Sequence, residues 1–439
     1  MPSAARQIHL ALFALPHGQL ASSWRLPEIP EHSTNDFDEY RQAADIIERA
    51  KFDAFFIADK LTIGSEDSWR YGPPVDAFEP FTLGGALAAV TERLGVVATA
   101  STTFQHPYLI ARSMLALDHL SRGRAGWNIV TSYSPDTVRN FGLDEHLPHD
   151  ERYEIAEEAV DVVRRLWCSW DEDAVVWDRE AGLYTRPGSV HAIDHVGAHF
   201  RVSGPGEFRR SVQGEPVRVQ AGSSGRGMTF AATRAEMVFT AQTTLESGVA
   251  FAEELRERAR QVGRRDDELV IMPGFSYAVG SSDDEARRIA DELVETVQPE
   301  HILGSIRDVV QLDLREYPLD GPVPELPDPA TVQGHRSRLE VYKRIAETES
   351  LTLRDFARRV AAQRGHHQIV GSPERIADDL QRWFESGAAD GFNVMPHTIP
   401  GQLRAFAEHV VPILQERGLF RREYEGTTLR EHLGVPYRG

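Results

Sequence analysis

Cysteine is all but missing from this chain, with Cys168 the single one in 439 residues. An intrachain disulfide is therefore impossible, and a cysteine-based zinc site is excluded. Cys168 itself follows an amphipathic run with Val162, Val163, Leu166 and Trp167, which suits core packing better than nucleophilic attack. Lysine is scarce too, at Lys51, Lys60 and Lys343 only, so arginine carries nearly all the positive charge. No apolar run approaches the roughly eighteen residues that a membrane-spanning helix needs. The N-terminal stretch lacks a basic segment followed by an apolar one, so no secretory signal is expected and a reducing cytoplasm is the expected compartment. Positive charge is short overall. The formal net charge of −19 disfavours nucleic acid and anionic lipid as bulk partners and leaves small molecules. No Gly-x-Ser-x-Gly elbow, His-Glu-x-x-His pair, dinucleotide glycine fingerprint or Walker loop is present, and no metal site is expected.

What the chain does have is rhythm. Hydrophobic residues make up 41% and charged residues 26%, ordinary proportions for a chain with a large buried core. Short apolar runs alternate with helical patterns, which predicts βα units and a parallel sheet. The predicted strands are 8–13, 53–58, 94–100, 126–130, 217–220, 237–241, 269–279 and 391–395. Eight such units favour a (β/α)₈ barrel over an open doubly wound sheet. The whole chain, 1–439, is read as one barrel domain. Insertions are expected at about 169–216, with a small β excursion, and at about 301–365, with a helical C-terminal extension from about residue 400. Ile369-Val370-Gly371 reads as a turn after the pair His366-His367, and no third ligand at metal spacing accompanies those histidines.

In a barrel the chemistry belongs to the loops after the strands, so residues just past each strand are the candidates. Gln220-Ala221-Gly222-Ser223-Ser224-Gly225-Arg226-Gly227 follows a strand and opens a helix. Backbone amides and serine hydroxyls there suit an anion, and Arg226 offers a charge-assisted bond; a tight turn with a capped helix is the plainer alternative. Asp59 closes the second strand, placed to accept from a ring N–H or a ribityl hydroxyl, or simply to cap the next turn. Thr99, Ser101, Thr102 and Thr103 crowd the third strand end. Asn128 stands inside an apolar strand, where an unpaired amide would cost roughly 1–3 kcal/mol, so it needs either a ligand or the backbone. His149 and Tyr153 are four apart on a helix and can share a face. His17 follows the first strand and is a candidate proton shuttle; a solvated loop histidine is the alternative.

Taken together, these segments resemble a known group. Phe56-Ile57-Ala58-Asp59, Ala98-Thr99-Ala100-Ser101-Thr102-Thr103, His106-Pro107-Tyr108 and Leu117-Asp118-His119-Leu120-Ser121 through Thr131 carry the likeness. So do His149-Asp150-x-Arg152-Tyr153, Gln220-Ala221-Gly222-Ser223-Ser224 and Asp390-Gly391-Phe392-Asn393. Over nearly its full length the chain resembles the bacterial luciferase-like flavin monooxygenases, in the branch of nitrilotriacetate and dibenzothiophene-sulfone monooxygenases. The resemblance implies a luciferase-like TIM barrel and a two-component enzyme that takes reduced FMN (FMNH₂) from a separate NAD(P)H:flavin reductase and O₂ as cosubstrate. One oxygen atom would enter a small organic substrate through a flavin peroxide; related enzymes cleave C–N or C–S bonds. It implies flavin contacts at Asp59, at Thr99 or Thr103, and at Asn128, His149, Tyr153, Ser223 and Ser224, with the serines on the phosphate. His17 and His149 are the candidate proton donors, and Phe13 and Phe56 would wall the ring site. A homodimer or homotetramer is expected. A deazaflavin-dependent hydride transfer on the same fold, or a non-catalytic flavin-binding protein, are the alternatives. The loops expected to choose the substrate are 18–34, 169–216 and 301–365.

Overall fold

Every expected apolar run forms a strand in the computed structural model, which describes all residues except 1–5, 32, 64–65, 73–76, 133, 223–224, 332–335, 364 and 439. The strands are β1 (His9–Ala14), β2 (Ala54–Ile57), β3 (Gly95–Ser101), β4 (Ala125–Val130), β5 (Val217–Ala221), β6 (Met237–Thr240), β7 (Val270–Val279) and β8 (Gly391–Pro396). Each pairs in parallel with the next, and β8 returns to β1 through Leu10↔Phe392, so the sheet closes into an eight-stranded barrel. Closure explains why the strands read as unbroken apolar runs, since both of their faces are covered. Alternate residues divide the labour. Ala11, Phe56, Val97, Val219, Met237 and Met272 fill the barrel, while Leu10, Phe55, Val96, Trp127 and Ile129 face the surrounding helices.

The helices start where local chemistry predicts. Asp36 caps α1 (Phe37–Arg49), its carboxylate accepting from the Asp38 amide at 3.0 Å. Pro80 and Pro107 begin α2 (Pro80–Val90) and α3 (Pro107–Leu120), a position where the missing N–H costs nothing. The helix α4 (His149–Trp167) follows β4, and α5 (Gly225–Arg234) follows β5. No helix among the described residues is long and apolar enough to cross a membrane.

The first insertion carries two small antiparallel pairs, Val175–Asp178 with Leu183–Thr185 and His195–Val196 with Arg201–Val202. The second is helical, with Pro299–Ser305, Arg336–Thr348 and Leu353–Gln363 around an apolar cluster that includes Leu303, Leu339 and Phe356. One expectation fails here. The segment read as a turn at Ile369-Val370-Gly371 is the end of a ninth strand, His367–Gly371. The reason is a mismatch of lengths. β7 has ten residues, but β6 covers only Val270–Pro273, so the upper half of β7 would be left with a bare edge. His367–Gly371 pairs with that edge from Phe275 to Val279.

After Glu416 the chain leaves its helix and crosses the N-terminal end of the barrel. Leu429, Leu433 and Val435 join the interior cluster there as a plug. Ion pairs surround it. Glu236, fully buried, meets Arg430 at 2.7 Å and Arg218 at 3.4 Å, and buried Asp53 meets Arg421 at 2.5 Å. Burial alone would raise the Glu236 carboxyl, but the two guanidinium groups reverse that and hold it down at about 2. The Asp118…Arg124 stretch serves the same end. Asp118 accepts from the Ala125 amide at 2.9 Å, and the Arg124 guanidinium binds the carbonyls of Ala88 and Thr91 at 3.0 and 2.9 Å. These residues carry the resemblance in sequence but do structural work.

Candidate active site

At the C-terminal mouth, three phenylalanines from three strands converge. Phe13 and Phe56, adjacent in register across β1 and β2, have ring centroids 5.5 Å apart. Phe239 of β6 lies 5.0 Å from Phe13, tilted against it, and 5.7 Å from Phe56, edge-on. His366 then stacks on Phe239 at 5.4 Å with an interplanar angle of 19°. Gly274 of β7 makes this cluster possible, because a Cβ there would stand 2.7 Å from Phe239, His366 and Met395 alike. Sequence alone does not mark Phe239 or His366 as site residues. Phe239 lies near the end of its strand, as Phe13 and Phe56 do on theirs, whereas His366 arrives just past the second insertion, in a pair that sequence considers only for metal binding.

The third and fourth strands supply a polar pair. The Thr99 hydroxyl donates to the Ile57 carbonyl at 2.7 Å, so its oxygen is free to accept from Asn128 Nδ2 at 2.9 Å. That arrangement sets the amide's orientation. Asn128 Oδ1 is left buried and has no hydrogen-bond partner among the described residues. A buried acceptor of this kind costs roughly 1–3 kcal/mol unless a ligand donor answers it. Asn393 of β8 repeats the pattern, donating to the Met272 carbonyl at 3.0 Å with Oδ1 unanswered among the described residues. The argument applied to Asn128, an amide in an apolar strand, would have found it. Thr103, the other threonine considered, donates to the Thr131 carbonyl at 2.6 Å within the loops.

Asp59 stands two positions past β2, exposed, accepting from the Lys60 amide at 2.8 Å. Desolvation pushes its carboxyl above the usual range; the amide bond opposes this and Glu79 adds to it. Next to it opens a cleft of about 570 Å³ between the loops after β2 and β4.

The proposed anion end is assembled from α4 and the start of α5. The His149 and Tyr153 rings meet at 5.1 Å, and Tyr153 packs edge-on against Phe230 of α5 at 5.7 Å. The Tyr153 hydroxyl comes close to Gly222, where an added Cβ would be 3.4 Å from it and would collide with the Gln220 amide. Glycine thus keeps room open at the turn. Ser223 and Ser224 lie outside the described residues. Arg226 is engaged with Glu157 of α4 at 3.1 Å, so its charge is already answered in this arrangement.

His17 has a left-handed backbone, φ 62°, and its carbonyl accepts from the Ile399 amide at 3.0 Å. Gly18 follows at φ 115°, close against the His397 backbone. The loop after β1 is thereby locked onto the loop after β8. Burial pushes the His17 imidazole below its ordinary value, so it is neutral at neutral pH.

The sequence comparisons agree with this geometry. The luciferase-like monooxygenase family model matches residues 16–390. An N-acetyl-S-(2-succino)cysteine monooxygenase of Bacillus subtilis is 43% identical, over 99% of this chain and 98% of its own. Nitrilotriacetate monooxygenase component A of Aminobacter aminovorans is 40% identical, over 98% and 97%. Among solved structures, a riboflavin lyase crystallised with a modified FMN and riboflavin superposes with a TM-score of 0.85 at 32% identity, covering 98% of this chain and 96% of that one. With aromatic walls and an unanswered amide at the mouth of a closed barrel, and with relatives of this likeness over nearly its whole length, the chain belongs to the luciferase-like flavin-dependent monooxygenases.

Proposed function

We propose that the mouth of this barrel binds reduced FMN, delivered by a separate NAD(P)H-dependent flavin reductase, and oxygenates a small organic substrate. The observation that carries the proposal is Asn128 Oδ1, a buried acceptor held in position by Thr99 and lacking a donor among the described residues. A flavin ring N–H is the donor it suits. Asp59, Thr99 or Thr103, and Asn128 would hold the ring and ribityl chain, and His149 and Tyr153 would take the phosphate end. Ser223 and Ser224 enter on sequence alone as phosphate donors.

Bound there, reduced FMN supplies the two electrons with which one atom of O₂ enters the substrate and the other leaves as water. The chain's own residues do the rest. Phe13, Phe56 and Phe239 present apolar surface that excludes water, which strengthens each polar contact inside. Neutral His17 has one ring nitrogen to donate and one to accept, so it can pass a proton to the departing oxygen. His149, exposed at the start of α4 and paired with Asp150 at 3.0 Å, suits the phosphate end better than the reacting centre. A homodimer or homotetramer in the cytoplasm is part of the same proposal. No observation favours the deazaflavin alternative or a flavin store.

Anaerobic titration with reduced FMN and reduced riboflavin tests the assignment. Hydrogen bonds to a charged group are worth about 1.5–3 kcal/mol each, so reduced FMN is expected to bind at least about tenfold tighter. Replacing Ser223 and Ser224 by Ala should abolish most of that difference. Equal weakening of both ligands would sink the phosphate assignment, and a protein that ignores reduced FMN would sink the reading itself.

A further inference from the structure

The cleft beside Asp59 has an unusual lining for so acidic a chain. Its wall carries Lys60, Leu61 and Ile63 from the loop after β2, and Asp136, Arg139 and Asn140 from the loop after β4. The Lys60 ammonium and the Arg139 guanidinium are both exposed, and neither has an ion-pair or hydrogen-bond partner among the described residues. For Arg139 this is informative. Asp136 lies three positions earlier on the same short helix, a spacing at which Arg41–Asp38 and Arg287–Asp284 do pair in this protein. Arg139 instead leaves that carboxylate and lines the cleft. The Asn140 amide donates to the Leu61 carbonyl at 3.0 Å, which ties the two loops together and keeps both cations on one opening.

We propose that this cleft receives the carboxylate end of the substrate, with Arg139 and Lys60 as its counter-charges and Leu61 and Ile63 against its apolar body. The planar fork of arginine matches a carboxylate through two parallel hydrogen bonds, while lysine adds a point charge. Two cations outweigh the one acid on the wall. In a chain of net charge −19, a local positive opening also focuses anions that the rest of the surface repels. The cleft volume of about 570 Å³ falls in the range of roughly 300–1,000 Å³ typical of small-molecule sites. The proposal rests on the flavin reading of the neighbouring residues, because Lys60 directly follows Asp59, which that reading places on the flavin.

The scarcity of lysine makes the test clean. Acylation rates of Lys60, Lys51 and Lys343 are followed by mass spectrometry on the whole protein, with Lys51 (paired to Glu423 at 2.9 Å) and Lys343 as internal references. The probes are succinate, citrate, phenylacetate and benzylsuccinate, with neutral benzylsuccinamide, inorganic phosphate and sulfate as counter-probes. At ten times its Kd, a bound carboxylate should slow Lys60 acylation about tenfold and leave the references unchanged. Arg139→Gln should remove that protection. The proposal is overturned if no carboxylate protects Lys60, if the amide protects equally, or if phosphate and sulfate do as well as the organic acids. Labelling needs neither flavin nor O₂, so a negative result here leaves the oxygenase reading standing, and loss of reduced-FMN binding would leave a positive result standing. Once a substrate is found, Lys60→Gln and Arg139→Gln should raise KM about tenfold or more with kcat little changed, the mark of lost ground-state binding.

Discussion

The two ends of the barrel obey opposite rules. At the N-terminal end the C-terminal tail inserts Leu429, Leu433 and Val435, and the buried carboxylates of Glu236 and Asp53 are each answered by arginine. At the C-terminal end, phenylalanines from three strands pack together, and the buried Asn128 amide oxygen has no hydrogen-bond partner among the described residues. Buried charge is paired at one end to close the structure, and at the other a buried amide oxygen is left for the flavin under the proposed function. Active sites lie at the C-terminal face of such barrels and stability at the opposite face. Here the division can be read in individual hydrogen bonds.

The sharpest way to break the comparison is at Glu236. Glu236→Gln leaves Arg430 buried without its counter-charge and Arg218 with Glu215 alone, and should cost about 3–5 kcal/mol in urea unfolding. Reduced-FMN affinity of the folded protein should stay unchanged. Its folded pKa, about 2, lies below the ordinary value of 4.5. The native state therefore binds fewer protons than the unfolded chain between those values. Its contribution is complete above about pH 4.5 and is lost as pH falls toward 2. A variant as stable as the parent at neutral pH would contradict this account of the closed end.

Asn128→Ala should behave in the reverse way. The substitution removes the hydrogen bond to Thr99 together with the unanswered acceptor, two opposing effects on ligand-free stability, and should weaken reduced FMN by about 1–3 kcal/mol, about five- to 150-fold. Unchanged flavin affinity would mean that the open acceptor is not a ligand contact. The smallest effect belongs to His17. With its folded pKa below 6.5, protonation favours the unfolded chain, so this group's contribution is present above about pH 6.5 and fades as pH falls below it. An NMR titration compared with His17→Gln should place it below the ordinary value. A midpoint at or above 6.5 would remove it from the enclosed rim.

Much of this was legible before any coordinates. The eight apolar runs mark eight strands, and the candidates the proposal uses come from strand ends (Asp59, Thr99), from an amide inside an apolar strand (Asn128) and from the family resemblance (Phe13, Phe56). The one misread element, His367–Gly371, was unreadable locally because it exists to cover an edge of β7 that only the shortness of β6 exposes. His366 was opaque for the same cause, since its stacking partner Phe239 lies 127 positions earlier. Arg226 looked like an anion ligand from its neighbours in sequence, and its contact with Glu157 appears only once α4 and α5 pack.

Periodicity, capping residues and the chemistry of strand ends were set by the sequence alone, because they depend on neighbours a few positions away. Which amide oxygen is left unanswered, which arginine is already paired and which two cations share an opening were decided by the tertiary structure. Those properties arise between residues far apart in the chain, brought within a few ångströms only when the barrel closes.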